Sequence, residues 1–280
     1  MKSSKLGRAV TQVALLGGMH LLCRVAAAAD VNMYDGEWHF AVTPYAWLPF
    51  NIKANLRFNV PPELGGSPEI EVNSSSILSH LRFAGSLAGE ARKREWAFVM
   101  DLLYVDLGNL SSRVRNVSGP LGMVSLPINS SVDTNLKQLL LQGVASYTAF
   151  RDDKAALDVF AGVRYVGVKT SLGWNLSGPI GLLGQSGSLS DKINFTDGIV
   201  GVRGQVALGE ERRWFVPYYL DIGAGNDSNT TWQAYAGAGY RYGWGDLVVV
   251  YRYLYYNTGG SRVIENLHLG GPTIAATFRW

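Results

Sequence analysis

Three histidines follow residue 29: His39, His80 and His268. A histidine beside a serine, with a third group orienting the imidazole, would be an acyl-transfer arrangement acting on lipid. Ser79 and His80 are adjacent, but neighbours along a strand point to opposite faces, so that pair cannot engage directly. His268 is followed by Leu269 and Gly270 rather than serine. Asp106 and Asp133 fall near one end of their segments without an evident partner, so a protease-like Asp/His grouping is not built. Three scattered histidines, with no His/Asp/Glu spacing of a known site, offer no metal centre. No catalytic residue, no metal and no cofactor are expected.

The charged residues are more informative. Arg82, Glu90, Asp101, Asp158, Arg164, Asp197, Arg203, Asp221, Arg241 and Arg252 recur at positions opposite apolar residues. If all ten share one enclosed side, they form a mixed-sign column. Such a column could be a polar pathway or ligand site, or an ion-paired plug in a narrow lumen. The plug is the reading taken.

These residues must be positioned by strands. From Trp38 every even position through Phe58 is apolar, while the odd positions include His39, Thr43, Asn51, Lys53, Asn55 and Arg57. Period-two alternation with one apolar face marks a strand whose other face is polar. Pro49 leaves a bend or a hairpin open within that run. The same code recurs in Trp96–Tyr104, Leu157–Tyr165, Leu247–Tyr255 and Ile274–Trp280, giving ten segments in all. A dry sandwich core could not take this many unpaired charges. An apolar face toward lipid and a charged face toward an enclosed lumen resolves the pattern. The expected fold is therefore all-β, a single antiparallel up-and-down transmembrane β-barrel. Ten strands are expected, with eight or twelve requiring one hairpin lost or gained.

Residues 1–29 read as an export signal. Lys2, Lys5 and Arg8 precede a short apolar stretch, Ala9 to Met19, and Ala27-Ala28-Ala29 supplies small residues before Asp30. The stretch is too short to span a bilayer. The one cysteine, Cys23, lies within it. Removing Lys2, Lys5, Arg8 and Arg24 from the 25 Lys+Arg leaves 21 against 22 Asp+Glu, a net of −1. The basicity of the whole chain thus offers no argument for nucleic acid. Residues 30–280 are expected to form one barrel domain.

Connections alternate in length. Short polar turns at Arg92–Glu95, Arg151–Lys154, Gly209–Arg213 and Gly243–Gly245 alternate with longer Gly/Ser/Pro/Asn-rich segments. The longest are Val60–Ser79, Gly108–Asp133 and Asn175–Lys192. This asymmetry is that of periplasmic turns and external loops. Trp38, Trp96 and Trp214 open strands on the short-turn side, and Tyr104, Tyr165 and Tyr255 lie one crossing further on. Such rings favour the membrane interface, apolar body inward and polar tip wet. Asn116–Met123 and Asn175–Leu182 share an Asn-x-Ser-Gly-Pro-x-Gly pattern. It reads as a duplicated ligand-contacting tip or as Gly-Pro turn chemistry, and the turn is the reading taken.

The segment Tyr240–Asp246 leading to Tyr251-Arg252-Tyr253-Leu254 resembles the penultimate hairpin of uncharacterised proteobacterial outer-membrane β-barrel (porin-like) proteins. Gly270-Gly271-Pro272 leading to Thr277–Trp280 is similar to their final strand, and Thr43–Pro49 to their first. Phe278-x-Trp280 resembles the C-terminal assembly signal of such barrels. The resemblance implies the outer membrane as location, outer-membrane lipids as surroundings, and the barrel-assembly machinery as partner through the last strand. It implies no activity, and oligomeric state stays open.

On these grounds the expected role is passive: envelope structure, or slow passage of small polar solutes. A surface-binding or adhesion barrel using the long loops is the alternative. A lipid-modifying enzyme is a third reading, disfavoured by the histidine geometry.

Overall fold

The computed structural model describes residues 33–49, 51–56, 69–72, 80–114, 129–177, 185–225, 230–257 and 264–280. The expected export signal, and the Asn116–Met123 copy of the repeated pattern, lie outside these residues.

Among the described residues twelve strands form one antiparallel sheet: β1 (Trp38–Trp47), β2 (Asn51–Leu56), β3 (Glu69–Val72), β4 (Leu81–Lys93), β5 (Trp96–Val114), β6 (Asn129–Arg151), β7 (Ala155–Ser177), β8 (Gln185–Leu208), β9 (Trp214–Gly225), β10 (Thr230–Tyr242), β11 (Gly245–Asn257) and β12 (Ile264–Arg279). They make ten crossings, because β1 and β2 run on as one stave and β3 and β4 as another. Trp47 pairs with Thr273 and Asn51 with Gly270, both on β12. Likewise β3 and β4 both pair with β5. Pro49 therefore interrupts the first stave without reversing it. The break is tight: a Cβ on Gly271 would lie 1.9 Å from the Leu48 carbonyl oxygen.

Pairing of β1 with β12 closes the sheet into a barrel. At that seam the Phe40 and Trp280 backbones exchange hydrogen bonds of 2.9 and 3.0 Å. The Trp280 ring stacks on Phe40 at 6.2 Å, and Phe278 stands against Trp244 at 5.3 Å. The two aromatics of the expected assembly signal thus flank the closing edge.

The apolar face turns outward. Trp38, Trp96 and Trp214 are 49–56% exposed, and apolar positions above them, among them Met100, Val163 and Val200, are 52–61% exposed. From Trp96 to Tyr104 the outward residues of β5 are apolar throughout, eight steps or roughly 26 Å along the strand. That is the height of a transmembrane barrel's lipid-facing band. No helix among the described residues is long and apolar enough to cross a membrane; strands do the crossing.

Turns at the Trp end are short. Lys93 pairs directly with Trp96, with Arg94 at φ 53°. Tyr242 pairs with Gly245, whose φ of 151° and position 2.1 Å (for a Cβ) from the Thr277 carbonyl exclude a side chain. At the opposite end β6, β7 and β8 are 23, 23 and 24 residues long, more than twice what a membrane crossing needs. Within the segments expected as loops, Gly108–Asp133 and Asn175–Lys192, the described residues 108–114, 129–133, 175–177 and 185–192 are strand. Ser112 pairs with Val132, and Leu176 with Gln185. At these described positions Ser, Asn and Gly sit in paired strand.

Candidate functional site

The inward residues build the candidate site. Strand alternation sends Asp101 of β5, Gln142 and Ser146 of β6, Asp158 and Arg164 of β7, Asp197 and Arg203 of β8, Asp221 of β9, Gln233 of β10 and Arg252 of β11 into the lumen. They gather in three groups. In the first, Arg92 donates to Glu90 Oε1 (2.7 Å) and to Asp158 Oδ2 (2.5 Å), and Arg203 bridges Glu90 (2.9 Å) and Asp158 (3.2 Å). Thr148 and Ser146 hydroxyls donate to the same aspartate.

In the second, Arg164 is fully buried. It pairs with Asp221, donates to Gln142 Oε1 at 3.0 and 2.9 Å, and reaches the Thr231 hydroxyl. The Tyr219 hydroxyl donates to Asp221 at 2.6 Å. Asp197, directly opposite Arg164 on β8, is also fully buried. In the third, Arg252 donates to Asp101 (3.0 Å), to Gln233 (3.0 and 2.8 Å) and to the Tyr45 hydroxyl (3.2 Å), with its guanidinium 5.0 Å above the Trp47 ring. A buried charge is tolerated only when paired and hydrogen-bonded. These groups supply most of one another's partners across as many as five strands, with Asp197 Oδ2 and Asp221 Oδ1 left without a hydrogen bond among the described residues.

Seven of the ten residues singled out from sequence join these groups by hydrogen bonds or ion pairs: Glu90, Asp101, Asp158, Arg164, Arg203, Asp221 and Arg252. Asp197 lies beside them. Two do not belong. Arg82 is exposed, because a register shift between Leu81 and Phe83 removes it from strict alternation and leaves it against Gly108 at the external end. Arg241 lies at the short-turn mouth, donating to the Arg212 carbonyl (2.8 Å) and covering the Phe215 ring at 4.9 Å. Asp106, read from sequence as unpartnered, forms a 2.9 Å salt bridge with Lys137 on the outer surface.

Sequence reasoning missed a second layer. Along each of six strands the residue next outward from the charged level is apolar and buried: Leu103 after Asp101, Leu140 beyond Gln142, Val166 after Arg164, Phe195 beyond Asp197, Leu254 after Arg252, and Leu269 on β12. All six are 3% exposed or less. The visible sign was consecutive apolar pairs, Leu102-Leu103 and Leu139-Leu140-Leu141, where both faces are apolar and alternation disappears. Between the charged groups a ring stack, Phe160–Tyr219–Tyr235, fills the width at 5.1 and 5.0 Å. Glycines make room for it: a Cβ on Gly201 would sit 2.6 Å from the Phe160 ring.

Toward the short-turn end the lumen opens into a cavity of about 360 Å³, bordered by Tyr34, Tyr45, Glu90, Arg92, Asp158 and Arg203. Tyr34 lies across it, with the Arg151 guanidinium 4.0 Å from its ring centroid. The histidines stay apart from this site. His39 pairs with Asp35 at 2.7 Å, and His268 shares a 2.7 Å hydrogen bond with the Tyr253 hydroxyl on the outer surface.

A closed ten-crossing antiparallel barrel, apolar outside with aromatic residues at both edges of the apolar band, is an outer-membrane β-barrel protein. No family model matches the chain, and no curated protein matches it. Among solved structures, it is similar to the outer-membrane protease OmpT of Escherichia coli, at 10% identity and TM-score 0.48, over 90% of this chain and 98% of that one. It is also similar to the translocator domain of the autotransporter NalP of Neisseria meningitidis, at 13% identity and TM-score 0.40, over 98% of each. The attachment invasion locus protein Ail of Yersinia pestis aligns at 9% identity and TM-score 0.32, over 87% of this chain and 98% of that one. These are likenesses of general barrel shape and say nothing of activity.

Proposed function

We propose that the protein is a sealed outer-membrane barrel with a structural role, and that its lumen does not carry a solute flux. The supporting observation is the two-layer interior. Ion-paired groups are backed on the outer side by the buried apolar layer of Leu103, Leu140, Val166, Phe195, Leu254 and Leu269. A hydrated ion crossing that layer would shed water without gaining polar partners, which is how hydrophobic constrictions stop conduction. The charged column is then a stabilising plug, in agreement with the smaller room left inside a barrel of about this strand number.

Planar-bilayer recording tests this. Folded protein, verified by heat-modifiable gel mobility, should show no current steps above the lipid leak at 100 mV. Sustained single-channel steps would overturn the sealed reading in favour of a slow pore.

The alternative of a surface-binding barrel draws support from one feature, the extension of β5–β8 well beyond the membrane band. Replacing residues 115–128 by a short turn should then abolish binding of cells bearing the protein to host or matrix surfaces.

A further inference from the structure

On the outer surface, one row of cross-strand partners runs Asp106 (β5), Lys137 (β6), Lys169 (β7), Lys192 (β8). All three lysines are exposed. Asp106 neutralises Lys137 at 2.9 Å, and no described carboxylate forms a salt bridge with Lys169 or Lys192. Like charges placed directly opposite on neighbouring strands repel and weaken the pairing. Two such contacts in succession, on a face where any charge is disfavoured near lipid, call for an external anion.

The neighbouring rows say which kind. One pair of residues toward the membrane, the row becomes Tyr104, Leu139, Gly167 and Asn194. Tyr104 closes the apolar band, and the Tyr165 hydroxyl just below donates to Asn194 at 3.2 Å. The lysines therefore stand immediately above the acyl-chain level, where headgroup phosphates lie. One pair of residues further out, the row is Asn135, Ser171 and Ser190, with the two serine hydroxyls 3.3 Å apart. Amide and hydroxyl groups at that height suit the hydroxyls of a sugar. Strands about 4.8 Å apart let a single phosphate bridge adjacent lysines, and three strand spacings span roughly 14 Å.

We propose that the outer face of β6–β8 is a binding site for a phosphorylated saccharolipid of the outer leaflet. Lys169 and Lys192 hold its phosphate, Asn135, Ser171 and Ser190 meet its sugar, and Leu139 and Tyr165 lie along an acyl chain. Lys137, already paired with Asp106, sets one edge of the site. Charge-assisted hydrogen bonds to phosphate oxygens offset the lysine–lysine repulsion, so the lipid also reinforces the β6–β7–β8 pairing.

The test is native mass spectrometry of the full folded barrel released from detergent micelles containing bis-phosphorylated hexa-acyl lipid A. Wild-type protein should retain one lipid. At roughly fivefold per lysine near a lipid surface, Lys169→Gln/Lys192→Gln should retain it about 25-fold more weakly. Lys154→Gln, on a short turn at the opposite end, should match wild type, as should Lys169→Arg/Lys192→Arg. Heat-modifiable mobility of each variant confirms closure before the comparison. Enzymatically dephosphorylated lipid A should bind the wild type as weakly as the phosphorylated lipid binds the double Gln variant. Equal retention of phosphorylated and dephosphorylated lipid, or an unchanged double Gln variant, would overturn the proposal. Displacement of the lipid by inorganic phosphate or by the acyl-free phosphorylated disaccharide at equal concentration would overturn its lipid part, leaving a simple anion site.

Discussion

Arg164 offers the sharpest test of how the lumen is held. Its guanidinium is fully buried and serves Gln142, Thr231 and Asp221 at once, with Asp197 opposite. Arg164→Ala would leave the Asp221 carboxylate, 1% exposed, without a counter-charge and would strand the Gln142 carbonyl oxygen. Removing one partner of a buried pair costs about 3–5 kcal/mol, because the cost is that of an uncompensated charge rather than the worth of the bond. Replacing both partners with apolar residues of similar size is often neutral. Urea unfolding in lipid vesicles, followed by tryptophan emission, should therefore show a loss of about 3–5 kcal/mol for Arg164→Ala. Arg164→Met/Asp221→Leu should recover most of it. A single mutant within about 1 kcal/mol of wild type would refute the reasoning, since Asp221 would then be hydrated and the lumen wet at that level. A double mutant no better than the single would show that Arg164 acts through Gln142 and Thr231 instead.

Two further outcomes follow from the seam and the turns. Trp280→Ala removes a ring stacked on Phe40, worth about 0.5–1.5 kcal/mol beyond its buried area, and should lower the folded, heat-modifiable fraction after refolding while Trp244→Ala on the neighbouring hairpin lowers it less. Asp152 accepts backbone N–H bonds from Lys154 and Ala155 at 2.8 and 2.6 Å, which hold its carboxyl below the ordinary value of 3.8. A depressed carboxyl stabilises the fold above the unfolded value and loses that contribution as pH falls through the folded one. The urea midpoint of Asp152→Asn should consequently change less than that of wild type between pH 5 and pH 3; an identical change in both would count against the turn's contribution.

Much of this was legible in the chain itself. Period-two alternation is a local property, so the outward faces of Trp96–Tyr104 and Leu157–Tyr165 and the short turns could be read without knowing any neighbour. The number of crossings followed from counting such segments. Composition misled at the outer ends of β6–β8, where stretches containing Ser, Asn and Gly pair as strand, because those residue types do not by themselves mark irregular backbone. Strict parity misled at Arg82, where one register shift changes the side a residue takes.

What sequence determined, then, is the membrane-facing half of the molecule, since every outward residue answers to one common solvent, lipid, and declares itself by type alone. The inward half answers to specific neighbours. Arg164 finds Asp221 at 57 positions' distance, Arg252 finds Asp101 at 151 and Tyr45 at 207. The lysines of three different strands meet only because register aligns them. Which charges pair, where the buried apolar layer lies and which cations share a row are set by closure and shear of the sheet, and those are properties of the tertiary structure.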